Sequence, residues 1–166
     1  MDCAEAVVSQ LDWWWGYQLR PRLDGLTDEE CFWEPAPGSW SIRDGVIDWA
    51  WPAPEPAPVT TIAWRLAHVT IGCFAMRAAS HFGAPPVSYD GYPYARTADE
   101  ALAQLDAAFD TWMTGVRALG VGGMSRPCGE PGFEDDAMAV LVLHINREVI
   151  HHGAEIALLR DLYLRR

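Results

Sequence analysis

The sequence contains no lysine, and all twelve of its basic residues are arginines. Schiff-base enzymes and P-loop nucleotide-binding proteins both depend on a lysine amine, so both classes are excluded. The formal net charge is −11, and the longest basic run is Arg165-Arg166. Nucleic acids and anionic membranes bind clustered basic side chains, so both are poor candidates as partners. The abundance of arginine, alanine, glycine and proline is typical of a GC-rich genome and indicates a bacterium.

The chain also lacks the features of an exported or membrane protein. No apolar run approaches the ~20 residues that a bilayer crossing needs. Residues 1–5 lack the basic start and apolar stretch of a signal peptide. The four cysteines form no CxxC pair, so we expect reduced and mostly packed thiols rather than disulfides or a zinc finger. These absences predict a cytoplasmic protein, and the length predicts a single domain over residues 1–166.

Hydrophobic periodicity predicts four helices, over about residues 4–23, 61–82, 97–119 and 134–164. Proline-rich segments keep the crossover at 26–58 out of regular helices, with room for a short hairpin. Thr60 or Thr61 can cap the second helix, and Thr97-x-x-Glu100 is a capping box for the third. The pattern therefore predicts an all-α fold, a four-helix bundle with a long loop-rich crossover between helices 1 and 2.

Two local patterns concern which side chains face the core. The tryptophans at 13–15 span too wide an arc for one narrow stripe, so we expect two in the core and one at its rim.

The stretch HINREVIHHGAEI at 144–156 places three histidines and two glutamates in thirteen positions of a chain with five histidines in all. On a helix that turns about 100° per residue, these polar groups share one face. They are His144, Glu148, His151, His152 and Glu155.

Aliphatic residues flank this polar cluster on the same face: Val140, Leu141, Leu158, Leu159 and Leu162. We therefore expect the cluster to interrupt the stripe that faces the core, where buried charged groups must be paired. On the second helix, His68 shares an apolar face and should also point inward, whereas His81 is expected in solvent. Two ligands four residues apart on one helix, with a third from a neighbouring helix, are how bundles build metal sites. A buried hydrogen-bond network, in which the glutamates neutralise the histidines, is the alternative.

Three motifs resemble the DinB superfamily: WEPAPGSWS at 33–41, TIAWRLAHV at 61–69 and HINREVIHHGAEIALLRDLY at 144–163. The resemblance extends over most of the chain, and the last motif is the most specific. It implies a metal-binding four-helix bundle related to mycothiol-dependent maleylpyruvate isomerase and other bacterial thiol transferases. It also implies that His68 is a metal ligand.

The family's common His-x-x-x-His pattern can be placed on the last helix in two registers. One register uses Arg147 and His151, but arginine cannot ligate a metal. The other uses Glu148 and His152, which resembles the Glu/His pair of the isomerase branch. The resemblance therefore implies the ligand set His68, Glu148 and His152, with His151 and His144 as substitutes or as groups that orient the ligands.

Such a His₂Glu set leaves a fourth metal position open, which is typical of catalytic zinc sites. Zinc is favoured as the divalent metal, although nickel, iron or manganese would also accept these ligands. We expect mycothiol or another low-molecular-weight thiol to attack a small electrophile. Glu155, His144 or His151 would then orient ligands or shuttle the thiol proton. The alternatives are a zinc hydrolase that uses bound water and a non-catalytic metal- or ligand-binding protein. A homodimer through a tryptophan-rich surface is a further hypothesis.

Overall fold

The computed structural model describes residues 2–166, most of which are helical. Helix α1 spans Cys3–Trp14 and continues through a π-helical turn, Trp15–Leu19, and a 3-10 turn, Pro21–Leu23. The crossover that follows contains one short helix, α2, at Asp28–Cys31. It also contains an antiparallel hairpin, in which Ile42 and Arg43 pair with Ile47 and Val46; these strands are β1 (Ile42–Arg43) and β2 (Val46–Ile47).

The remaining helices carry most of the core. Helix α3 spans Ile62–His68 and passes through a π-helical segment, Val69–Ala75, into α4 at Met76–Phe82. Helix α5 spans Ala98–Ser125, and α6 spans Met138–Tyr163. The four long helical segments therefore occur where the periodicity predicts them.

Local capping chemistry fixes where these helices begin. The Thr61 hydroxyl accepts from the Trp64 amide, so Thr61 rather than Thr60 is the cap of α3. Thr97 caps α5 in the same way, as its capping-box sequence predicts. At the other end of α4, Gly83 has φ 71°, which ends the helix in the left-handed conformation that suits glycine.

Two helix boundaries differ from the sequence-based prediction. Gly120 has φ 56°, which breaks the regular helix, yet helical backbone resumes and α5 continues to Ser125. α6 begins at Met138, several residues later than the pattern predicts, because the chain before it pairs with itself. Short bridges join Pro127 to Ala137 and Glu130 to Phe133, which takes those residues out of helical geometry.

One hydrophobic cluster runs through the fold, with α5 packed against α1, α3, α4 and α6. Trp112 of α5 is fully buried. Trp15 stacks on Phe109 with ring centroids 3.8 Å apart, and Trp14 packs at the edge of the core. Trp13 is exposed. The prediction of two core tryptophans and one at the rim is therefore wrong in detail, since Trp15 is in the core, Trp14 at its edge and Trp13 in solvent. Within residues 2–166, none of the helices combines the length and apolar character that crossing a membrane requires.

The orientation of α6 differs from the prediction. Its buried face is centred on Ile145, Val149 and Ile156, whereas Val140, Leu158 and Leu162 are exposed. On a helical wheel the core therefore lies about 120° away from His144. The polar cluster borders the core instead of interrupting it, and His152 is the member that turns inward.

Candidate functional site

His68 lies at the end of α3, where the helix widens into the π-helical segment. Short π-helical segments are rare in proteins overall, and those that occur are often found at functional sites. The imidazole is half-buried, stacks on Trp64 at 5.4 Å between ring centroids, and pairs through Nδ1 with the Tyr89 hydroxyl at 2.9 Å. Burial, helped by the positive charges of His152 and Arg65, lowers the pKa of His68 from 6.5 to about 4. The ring is therefore neutral at neutral pH, as a metal ligand must be.

His152 of α6 faces His68 across the gap between the two helices. The two rings meet edge to face, with centroids 4.7 Å apart, and His152 is 8% exposed. Its Nδ1 contacts Glu155 Oε2 at 2.7 Å, and its Nε2 lies 3.8 Å from Glu148 Oε2. The structure therefore brings His68, Glu148 and His152 together from two helices, with Glu155 behind His152.

Arg65 is a member of this site that the sequence analysis missed. Its Nε pairs with Glu155 Oε2 at 3.2 Å, and its NH1 lies 3.4 Å from His152 Nδ1. The guanidinium also lies over the ring of Trp64, 5.3 Å from the centroid. A signal was available, because Arg65 precedes His68 by three residues and so shares its helix face. The Arg65 guanidinium supplies the positive charge that balances Glu155.

The outer part of the polar cluster is more exposed than the sequence suggests. The His144 and His151 side chains are 43% and 63% exposed, so the expectation that they point into the core is wrong. His151 Nε2 lies 3.4 Å from Glu155 Oε1. His144 Nδ1 contacts Arg147 NH2 at 2.5 Å, and the same guanidinium lies 3.3 Å from Glu148 Oε1. These residues form the solvent side of the site.

His81 was expected in solvent, and this expectation is wrong. Its side chain is 8% exposed, and its Nε2 contacts Glu130 Oε1 at 2.6 Å. Arg77 pairs with the other oxygen of the same carboxylate. Glu130 lies in the turn before α6, 49 residues further along the chain. The helical wheel of α4 could not show that this turn covers the outer face of the helix.

The arrangement of an α3 histidine opposite an α6 Glu/His pair can be compared with known families. A profile of the DinB superfamily matches residues 48–156, which include α3 to α5 and most of α6. The chain belongs to the DinB superfamily. A search of curated proteins and a search of solved structures each returned no match. The family membership agrees with the resemblance seen in the sequence motifs.

The side chains of this DinB site fit a divalent cation. The Nδ1 atoms of His68 and His152 are engaged by Tyr89 and Glu155, and metal-binding histidines typically use one ring nitrogen for such a partner and the other for the metal. Among residues 2–166, the group whose possible ligand atoms all lie within 4.8 Å of one another is His151, His152 and Glu155, and it includes neither His68 nor Glu148. That second set comes from one helix and includes the exposed His151, so a cation there would be held mostly in water. The set that spans α3 and α6 is the better enclosed of the two.

Proposed function

We propose that this DinB protein is a single four-helix-bundle domain that uses a divalent metal to catalyse transfer of a small thiol to an electrophile, or a thiol-dependent isomerisation. The observation that carries the proposal is the meeting of His68 and His152 from two helices, with Glu148 3.8 Å from His152 Nε2. His68, Glu148 and His152 are the proposed ligands, and zinc is the favoured metal.

A bound cation with an open position would lower the pKa of a small thiol and keep it as the nucleophilic thiolate. The protein residues hold the site in shape and carry the proton. Glu155 links His152 Nδ1 at 2.7 Å to His151 Nε2 at 3.4 Å. Glu155 is the free base of this group, because His152 is a proposed ligand, and its contact with the exposed His151 leads to water. We therefore assign removal of the thiol proton to Glu155 and His151. His144 lies on the other side of Glu148, with Nδ1 3.8 Å from Oε1.

The chain's own buried thiols support a small-molecule thiol as the nucleophile. Burial raises the pKa of Cys31 and of Cys73 to about 12, so both stay protonated at neutral pH. Cys73 is the cysteine on the helical segment of His68, and the charge of Glu148 raises its pKa further. A thiol that reacts at this site would therefore come from solution, and mycothiol or a related bacterial thiol is proposed.

A cavity that borders the solvent side of the polar cluster at His144 and Arg147, and whose lining includes none of the three proposed ligands, is the proposed place for a small electrophile. It has a volume of about 570 Å³ and reaches from Arg77 and Phe133 to His144 and Arg147. Small-molecule sites have typical volumes of ~300–1,000 Å³ and apolar walls with a few polar groups. The walls of this cavity include Val140, Leu141 and Leu143. The proposed reaction forms a bond between the thiol sulfur and an electrophilic carbon as a leaving group departs, or adds and later releases the thiol.

Arg147 favours a second candidate, a non-catalytic metal- or ligand-binding DinB protein. Its guanidinium lies 3.3 Å from Glu148 Oε1 and contacts His144. A cation bound by Glu148 would compete with this contact, so the glutamate could serve as an ion-pair partner instead of a ligand. A hydrolase that uses metal-bound water is the remaining alternative, and it would act without an added thiol.

Elemental analysis of the purified protein, followed by thiol-conjugation assays, tests the proposal. We expect close to one divalent metal per chain, with loss of the metal in His68→Ala and His152→Ala but not in His81→Ala. The metal-loaded protein should conjugate 1-chloro-2,4-dinitrobenzene to mycothiol or bacillithiol, with release of chloride. Metal binding without any conjugation would favour the non-catalytic candidate, and ester cleavage without thiol would favour the hydrolase. The cytoplasmic location, the homodimer and the exclusion of nucleic-acid and membrane partners stay predictions from the sequence.

A further inference from the structure

Tyr89 contacts the candidate site from outside the helices. It lies in the segment between α4 and α5, and its hydroxyl is 2.9 Å from His68 Nδ1. The Tyr89 and His68 rings are also near-parallel, at 20° and 6.4 Å between centroids. We infer that Tyr89 is a positioning residue, which accepts a hydrogen bond from Nδ1–H of His68 and so leaves the Nε2 lone pair of His68 for a metal. This inference rests on the proposed metal site.

Gly72 provides the space that the Tyr89 hydroxyl occupies. It follows His68 by one helical turn, and a Cβ atom added at Gly72 would lie 2.4 Å from Tyr89 Oη. The same atom would lie 3.5 Å from His68 Nδ1 and Cε1, which is ordinary contact. A glycine inside a helix makes that helix less stable than an alanine at the same position would. The approach of Tyr89 to His68 gives a physical reason for a glycine at this position.

Further contacts hold Tyr89 in place. The Tyr94 hydroxyl donates to the Tyr89 carbonyl at 2.8 Å, which ties the backbone of the segment to itself. On the other side, the ring of Trp49 from the crossover stacks on Tyr89 at 14° and 6.5 Å between centroids. The hydroxyl is therefore positioned by the crossover and by the segment before α5, both remote in sequence from His68.

The chemical role follows from the two nitrogens of imidazole. A neutral ring carries one proton, and the nitrogen without it is the one that can bind a metal. A partner at Nδ1 that accepts a hydrogen bond fixes this choice and the ring orientation, as outer partners of metal-binding histidines do. Glu155 contacts Nδ1 of His152 in the same way. Both histidines of the site would then present Nε2 to the cation.

Zinc affinity of the full-length protein, measured by competition with a chromophoric chelator, tests this role. Loss of such an outer partner typically costs 10–100-fold in metal affinity, and we expect this loss in Tyr89→Phe. Gly72→Ala should weaken zinc binding at least as much, because its methyl group displaces the hydroxyl. Added to Tyr89→Phe, however, Gly72→Ala should have little further effect, since the atom it displaces is already gone.

Tyr92→Phe is the matched control, because within residues 2–166 the Tyr92 hydroxyl makes no hydrogen bond and its ring packs on Tyr94. It should bind zinc within twofold of the wild-type protein. Wild-type affinity in Tyr89→Phe would overturn the inference.

If the wild-type protein binds no zinc, the proposed metal site fails, and ¹⁵N NMR of the His68 ring in metal-free protein decides the role of Tyr89. We then expect Tyr89→Phe, but not Tyr92→Phe, to move the Nδ1 resonance, and an unchanged resonance would overturn the inference.

Discussion

Arg160 and Glu30 form a two-pronged ion pair between the last helix and the short helix of the crossover. Arg160 Nε lies 2.6 Å from Glu30 Oε1, and its NH2 lies 3.0 Å from Oε2. The Glu30 and Arg160 side chains are only 4% and 14% exposed. Arg160 NH1 also donates to the Asp24 carbonyl at 3.1 Å. The pair therefore fastens the part of α6 that follows Glu155 to the loop-rich crossover.

Breaking this pair from one side should be costly. Glu30→Leu leaves a buried guanidinium without its counter-charge, and we expect the free energy of unfolding to fall by about 3–5 kcal/mol. Urea unfolding measures the loss. The double variant Glu30→Leu/Arg160→Leu removes both charges, so it should lose much less than the single variant. If the free energy of unfolding of the double variant falls by the sum of the losses in the two single variants, the two residues act independently.

Gly153 of α6 allows Trp14 to pack against the helix. A Cβ atom at this position would lie 2.1 Å from Trp14 Cη2. We expect Gly153→Ala to destabilise the protein by about 1–3 kcal/mol through overpacking, even though alanine favours helix. Thermal unfolding of the variant measures this effect.

Gly16 offers a matched control for Gly153, because a Cβ atom there would meet nothing within 4 Å. Gly16→Ala should leave stability unchanged or raise it by about 0.4–1 kcal/mol. Similar losses in both variants would mean that loss of glycine flexibility, rather than contact with Trp14, causes the effect at Gly153.

Arg147 should weaken metal binding in the wild-type protein. Its NH2 group lies 3.3 Å from Glu148 Oε1, and its charge opposes a cation on that carboxylate. Exposed ion pairs contribute ~0.2–1 kcal/mol, so we expect Arg147→Ala to raise zinc affinity by about two- to fivefold. Isothermal titration with zinc measures the change, with Arg126→Ala as an exposed control away from the site. A loss of affinity would instead mean that Arg147 holds Glu148 in its binding position.

The buried carboxylate of Glu130 should make stability depend on pH. Burial alone would raise its pKa, but the hydrogen bond from His81 and the charge of Arg77 outweigh this effect and lower the pKa below 4.5. A carboxylate whose pKa falls on folding stabilises the protein above the unfolded-state pKa, and this contribution disappears as pH falls through the folded-state value. Glu130→Gln should therefore be about 1–3 kcal/mol less stable than wild type at pH 7.

The difference between wild type and Glu130→Gln should shrink as the pH is lowered through and below 4.5. Urea unfolding of both proteins at pH 7 and at pH 3.5 measures it. If the two proteins differ in stability by the same amount at both pH values, the carboxylate charge is not what stabilises this contact.

Much of the fold depends on local signals, which is why the sequence predicts it. The hydroxyl of Thr61 caps α3, that of Thr97 caps α5, and Gly83 ends α4. Each of these effects acts within one helical turn. The start of α6 was harder to predict, because Pro127 and Ala137 pair across the turn before it. Nothing in the helical periodicity encodes that pairing.

The sequence by itself determined which elements form, the family, and the chemical groups available for a site. A helical wheel gives angles between residues of one helix, so it grouped Glu148, His152 and Glu155 on a common side. It contains no information on how that helix is turned toward its neighbours. Only packing of Ile145, Val149 and Ile156 into the core decided that His152 points inward while His144 and His151 face water.

Tertiary structure alone also decided the partners of the two inward histidines. Tyr89 reaches His68 from a connecting segment 21 residues away, and Arg65 approaches His152 across 87 residues. Likewise, Glu130 converts His81 from an expected solvent residue into a buried one. Such contacts depend on the path of the chain in space, because a loop has no periodicity that fixes where its side chains lie.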